Sequence, residues 1–222
     1  WYIMRHNKDY CFISCGPNGQ NGRGGHAHND KLSFELMLDG EDIIVDPGTY
    51  VYTADPEWRN KFRSTGYHNT IIANNIEQNA LSKNLFFLKC GVKIQFATLE
   101  ENSDQIIFKG SIELPDGSFF TREIRSDKNQ GSTSIQDKLD SKSMRTATSQ
   151  LHISPKLEVR DSVIVVRGAG KKVARIEFAN KGVQVKPYEY SATYGEKRSA
   201  VALELNAENA VEISVKIIKE RS

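Results

Sequence analysis

From Leu32 onward the chain alternates short apolar runs with turn signals. The runs begin LSFELML, DIIVD, NTIIAN, LFFLK and VKIQFATL, continue through QIIFKGSIEL, SFFTREIR, STSIQD, TSQLHIS, LEVRD, SVIVVRG and VARIEFA, and end with VALELN and VEISVKII. Nearly all are of strand length, rich in β-branched and aromatic residues. Several alternate with period two: Val92, Ile94 and Phe96 are expected to face inward and Lys93 and Gln95 outward, the pattern of a sheet with one wet face. Turn sequences such as Asp39-Gly40, Pro115-Asp116-Gly117, Gln130-Gly131 and Gly168-Ala169-Gly170 separate the runs without the helices that a parallel sheet needs. The expected fold is therefore all-β, a large antiparallel multi-sheet β-sandwich, as one domain over 1–222. The one helix expected lies near residues 56–64, where Asp55 caps and Pro56 suits the first helical position.

The N-terminal part has a different texture. GPNGQNGRGGHAHND holds five glycines and three asparagines in fifteen residues, a loop whose backbone freedom suits a shaped site. Three of the five histidines, His26, His28 and His68, fall in the block that runs from the end of this loop to residue 68. In an extended stretch His26, His28 and Asp30 project to one face, about 6.5 to 7 Å apart. Two imidazoles and a carboxylate are donors that zinc accepts, with further ligands recruited from distant segments. The H-x-H-x-D spacing also resembles the metal motif of metallo-β-lactamase-like hydrolases, but Lys31 stands where those proteins carry another histidine, and their helices are missing here.

Composition narrows the partners. Thirty basic and twenty-eight acidic residues among 222 give a net charge of +2, too little for phosphate-backbone binding, so nucleic acid is not an expected partner. A locally positive cleft for an acidic sugar remains compatible with that balance. No run of eighteen apolar residues marks a membrane span. The chain begins inside what reads as a strand, so a fragment of a longer protein is expected. Cys11 and Cys15 lie too far apart on a strand to be bridged and are expected as buried filler.

A longer block carries a family resemblance. HAHND followed by LSFEL, then VDPGTY, the turn DPEWRN, and FRST with HNT occur in order over roughly residues 16 to 72, and YSATYGEK follows later. This block resembles the signature region of the heparinase II/III family of bacterial lyases. The resemblance implies an N-terminal (α/α) toroid partner outside this chain, an acidic polysaccharide held between the two parts, cleavage by β-elimination, and a periplasmic or secreted location. Matched residue by residue, it implies that His26 is the sandwich histidine of the catalytic cleft and that His28, Asp46 and His68 bind a structural zinc. Asn29 and Asp30 are implied as orienting neighbours, with Asn29 also at the substrate. Arg59 and Arg63 either contact an acidic sugar through their guanidinium forks or anchor a loop. Tyr50 and Tyr52, alternating in VDPGTYVY, read as packing residues. The alternative to a lyase module is a non-catalytic, zinc-stabilised carbohydrate-binding or scaffold sandwich.

Overall fold

A computed structural model describes residues 1–84, 86–140, 146–161, 163–166, 170–179, 182–208 and 212–220. Three antiparallel sheets account for the strands described. The first is a meander of β1 (Tyr2–His6), β2 (Asp9–Ile13), β3 (Phe34–Leu38) and β4 (Glu41–Ile44). A second, in the order β14-β15-β10-β5, joins β5 (Ile71–Ala73), β10 (Thr146–His152), β14 (Val183–Tyr190) and β15 (Arg198–Glu208). The third has eight strands in the order β11-β12-β13-β16-β9-β8-β7-β6. Its members are β6 (Lys93–Glu101), β7 (Gln105–Glu113), β8 (Phe119–Asp127), β9 (Ser132–Asp140), β11 (Leu157–Arg160), β12 (Val163–Val166), β13 (Lys172–Phe178) and β16 (Glu212–Lys219).

Alternation puts these sheets face to face. Phe108 and Ile112 of β7, Phe120 and Ile124 of β8, Ile135 and Leu139 of β9 and Ile217 of β16 point into one core. Phe34 and Leu36 of the first sheet and Leu151 and Leu203 of the second enter the same core. Burial of that apolar surface is the main force holding the layers together. Cys11 and Cys15 are buried and unpaired, and burial pushes the Cys11 thiol up to about 12.

The helix α1 spans Pro56–Phe62, with Asp55 accepting from the backbone N–H groups of Glu57 and Trp58. A single 3-10 turn, Thr65–Tyr67, follows. Three strand expectations change. β6 lies at the edge of its sheet with a register shift between Ile94 and Phe96, so those side chains are 36% and 43% exposed although Val92 is buried. LFFLK forms no strand among its described residues; Leu85 lies outside them. Leu88 instead bonds the glycine-rich loop, its N–H donating to Arg23 O and its carbonyl accepting from Asn18 Nδ2. β14, whose Pro187 weakens its strand signal, is an edge strand, where a missing N–H is tolerated.

Candidate functional site

The glycine-rich loop, the Asp46–Thr49 segment after β4 and His68 after the 3-10 turn meet around a cavity of about 700 Å3. Its lining includes His26, His28, Asp30, Asp46 and His68. The loop is not a strand, and its lining of the cavity is nearly continuous, Ala27 and Lys31 included. His26, His28 and Asp30 line the cavity, while Asn29 between them is wholly buried.

Three short segments hold this arrangement. Asn29 donates to Glu77 Oε2 at 2.6 Å and to Asn79 O at 2.9 Å, and it accepts from Asn79 Nδ2. Glu77 Oε2 also accepts from the backbone N–H and the hydroxyl of Thr65. The Gln78 side chain bonds both the N–H and the carbonyl of Lys31. The segment Glu77–Asn79 therefore ties the His28 loop to the turn that delivers His68. Nothing local in the sequence marks it, because each bond closes between positions remote along the chain.

At the inner wall, His68 Nδ1 lies 2.7 Å from Asp46 Oδ2, and Asp46 Oδ1 accepts from Gly48 N at 2.8 Å. The His28 and His68 rings are 5.2 Å apart. Burial opposes charge on His68, but the Asp46 carboxylate outweighs it and raises the imidazole above its ordinary value. Burial first, and then the neighbouring His68, pushes His28 down to about 4. Asp46 is held low because His68, and to a lesser degree His28, offset its own desolvation. In the neutral ring with Nδ1 donating to the carboxylate, His68 Nε2 carries the lone pair, and that atom is buried with no hydrogen-bond partner.

The donor chemistry suits a divalent ion: two adjacent imidazoles, one with an unpartnered buried nitrogen, and a carboxylate fixing that ring by its other nitrogen. Among the described residues, no three His, Cys, Asp or Glu side chains already converge in a metal-holding geometry. Asp46 is engaged with His68 and Gly48.

The outer wall differs. His26 is exposed, its ring edge-on to Tyr52 at 5.5 Å and also 5.5 Å from Phe86. Tyr52 is thus part of the His26 surroundings, whereas Tyr50 packs against Trp58 and Phe62. Arg59 and Arg63 do not line the cavity. Each is 3% exposed. Arg63 donates to Asn60 Oδ1 and Ser82 O and so anchors a loop. Arg59 leaves Nε and Nη1 without partners. Asn29, with its amide consumed by Glu77 and Asn79, has no group left for a ligand.

The family model described as "Heparinase II/III-like, C-terminal" matches residues 1–218. A heparin-sulfate lyase of Bacteroides stercoris is 30% identical over 100 residues, which are 43% of this chain and 15% of that protein. A heparan sulfate lyase of Pedobacter heparinus superposes with a TM-score of 0.74 at 13% identity, over 96% of this chain and 33% of that one. A heparinase III structure gives 0.71 at 16% identity, over 98% and 35%. These structural likenesses are likenesses of fold. The chain spans about a third of the length of the structures it matches.

Proposed function

The chain belongs to the heparinase II/III-like family, as a C-terminal domain, and from that premise we propose that it is the β-sandwich module of a polysaccharide lyase acting on uronic-acid-containing chains. The supporting observation is the cavity itself, which an exposed His26 at its outer wall lines together with His28, Asp46 and His68 at its inner wall. In β-elimination a base removes the proton α to the uronate carboxyl group. The electron pair closes a carbon–carbon double bond, and the glycosidic oxygen leaves with a proton from an acid. His26 serves that proton traffic, or offsets the carboxylate charge when protonated, because it is the cavity histidine open to solvent. The partner acid, base and carboxylate-neutralising donors belong to an (α/α) toroid outside this chain, so the module alone turns over little or no substrate. Asn29, Arg59 and Arg63 contribute by holding the wall in shape; their burial removes them from direct contact with sugar.

His28 and His68 are the residues that would hold a zinc ion directly, and Asp46, implied by the resemblance as a third ligand, stands behind His68 as the acceptor for its Nδ1. The buried, unpartnered Nε2 of His68 supports this assignment. When bound, the ion supplies a structural pin between the glycine-rich loop, the DPGTY segment and the His68 turn. Asp46 orients His68 through Nδ1 and so presets the tautomer for binding.

Elemental analysis of chelator-free protein is the test. About one zinc per chain, lost in His28→Ala and in His68→Ala, is expected; metal-free wild type removes the zinc assignment. In the full-length protein, His26→Ala should lower unsaturated-uronate release from heparan sulfate at least a hundredfold. A wild-type rate in that variant would end the catalytic role of His26. Binding without release by the full-length wild type would leave a carbohydrate-binding sandwich.

A further inference from the structure

His26 does not stand alone at the cavity rim. Tyr52, which it meets edge-on, lies 6.2 Å from Phe86 and stacks on Tyr194 at 6.2 Å with their planes 24° apart. Phe86 is 50% exposed and Tyr194 59%. Single exposed rings are ordinary on a protein surface. Contiguous exposed rings that run from an open cavity are not, since mutual contact leaves much of their apolar area in water.

The three rings come from separate segments that the fold fixes against one another. Gly195 N donates to Tyr50 O at 2.9 Å, and Ser191 N to Pro47 O at 2.8 Å, so the turn bearing Tyr194 is stapled to the segment bearing Tyr52. Leu88 N donates to Arg23 O, which ties the Phe86 loop to the glycine-rich loop. The rings are therefore held ready before any ligand arrives.

We propose that Tyr52, Phe86 and Tyr194 form a stacking shelf for one pyranose ring of an acidic glycan, next to the ring on which His26 acts. The proposal rests on the polysaccharide reading of the cavity. A pyranose presents a C–H face to the negative face of an aromatic ring and hydroxyls at its edge. Two of the three shelf rings carry hydroxyls that can meet those edges. A protein partner would more often meet an aliphatic patch; here the exposed neighbours along the chain are polar. Lys83 and Lys89, both exposed, flank Phe86 in its loop. Lys197 holds its ammonium over the Trp58 and Tyr50 rings, so the positive charge beside the shelf comes from Lys83 and Lys89, which favour a carboxylated or sulfated sugar over a neutral one at that end.

The test is calorimetric binding of a size-defined heparan sulfate hexasaccharide to the full-length protein held inactive by His26→Ala, the shelf being wild type or varied, with an uncharged chitin hexasaccharide as control. Phe86→Ala and Tyr194→Ala should each weaken binding about tenfold, the scale of one lost aromatic contact, with an unchanged melting temperature because both side chains are exposed. Tyr194→Trp should keep most of the affinity. Binding with the wild-type shelf that neither alanine variant disturbs would overturn the shelf alone. No binding of either sugar with the wild-type shelf would overturn the polysaccharide reading and the shelf together. Normal sugar binding with an altered association state in the variants would make the rings a protein contact and overturn the proposal as well.

Discussion

His152 sits 1% exposed between the rings of Tyr67 and Tyr188, with Nδ1 3.0 Å from Asn69 Oδ1. Burial, and then the neighbouring His68, pushes this imidazole down to about 3, against about 6.5 in an unfolded chain. The unfolded state therefore binds the proton first as the pH falls, so His152 costs stability progressively from about pH 6.5 toward pH 3. His28 acts in the same direction. His68 opposes both, because its raised value adds stability at acid pH that is lost as the pH rises through its folded value. Replacing His152 by Asn keeps a donor for Asn69 Oδ1 and removes one titration. The urea midpoint of His152→Asn should fall less between pH 7 and pH 5 than that of the wild type; parallel curves would show that His152 is not the acid-sensitive group. At this scale the sequence was informative about which residues gather and poor on their exposure. His26, His28 and Asp30 line one cavity, although the segment is a loop whose Ala27 and Lys31 line it too. The buried Asn29 bonds Glu77 and Asn79, Arg63 bonds Ser82 and Arg59 bonds Lys83, partners that no local pattern connects to them.

At the scale of elements, the segment after β4 shows how a turn residue positions a site. Gly48 has φ +94°, and a β-carbon there would lie 2.0 Å from Ser191 O. Its contact with Ser191 is a parallel bridge that joins the Asp46 segment to the start of the Tyr194 turn. Gly48→Ala should cost about 3 kcal/mol, combining left-handed strain with loss of that bridge, and should also weaken the Asp46 carboxylate bond to Gly48 N. Urea unfolding checks the first effect; a destabilisation below about 0.5 kcal/mol would mean that the segment relaxes freely. The helix was legible because its signal is local: Asp55 caps it and Pro56 opens it. β6 was legible as a strand, but the exposure of Ile94 and Phe96 was not, because alternation reports which residues share a face and is silent on whether a strand lies at a sheet edge. LFFLK was misread for a related reason, since the backbone of Leu88 bonds the glycine-rich loop instead of a neighbouring strand.

Across the whole molecule, one buried ion pair links the largest sheet to the site. Arg122 of β8 is fully buried opposite Asp137 of β9, with Nε and Nη2 donating to the two carboxylate oxygens at 2.6 and 2.7 Å. Its Nη1 donates to Leu32 O, just before β3, and to Asn69 O, the residue after His68. The guanidinium also lies over the rings of Phe34 and Phe120. Removing one partner strands a buried charge, so Arg122→Leu should cost about 3 to 5 kcal/mol. The double change with Asp137→Leu should cost clearly less than the sum of the two single changes; simple additivity in urea unfolding would show that the pair is not coupled. Neither residue looked unusual in the sequence, although both stand at inward positions of alternating strands. By itself the sequence determined the strand-rich antiparallel class, the short helix and the gathering of histidines around a glycine-rich loop, because period-two patterning, caps and glycine conformations act over a few neighbouring residues. Tertiary structure alone decided which strands became edges, which polar side chains were buried, and how His26 came to lie among Tyr52 and Phe86. Those outcomes depend on contacts closed between distant segments, whose energies appear only when the sheets pack.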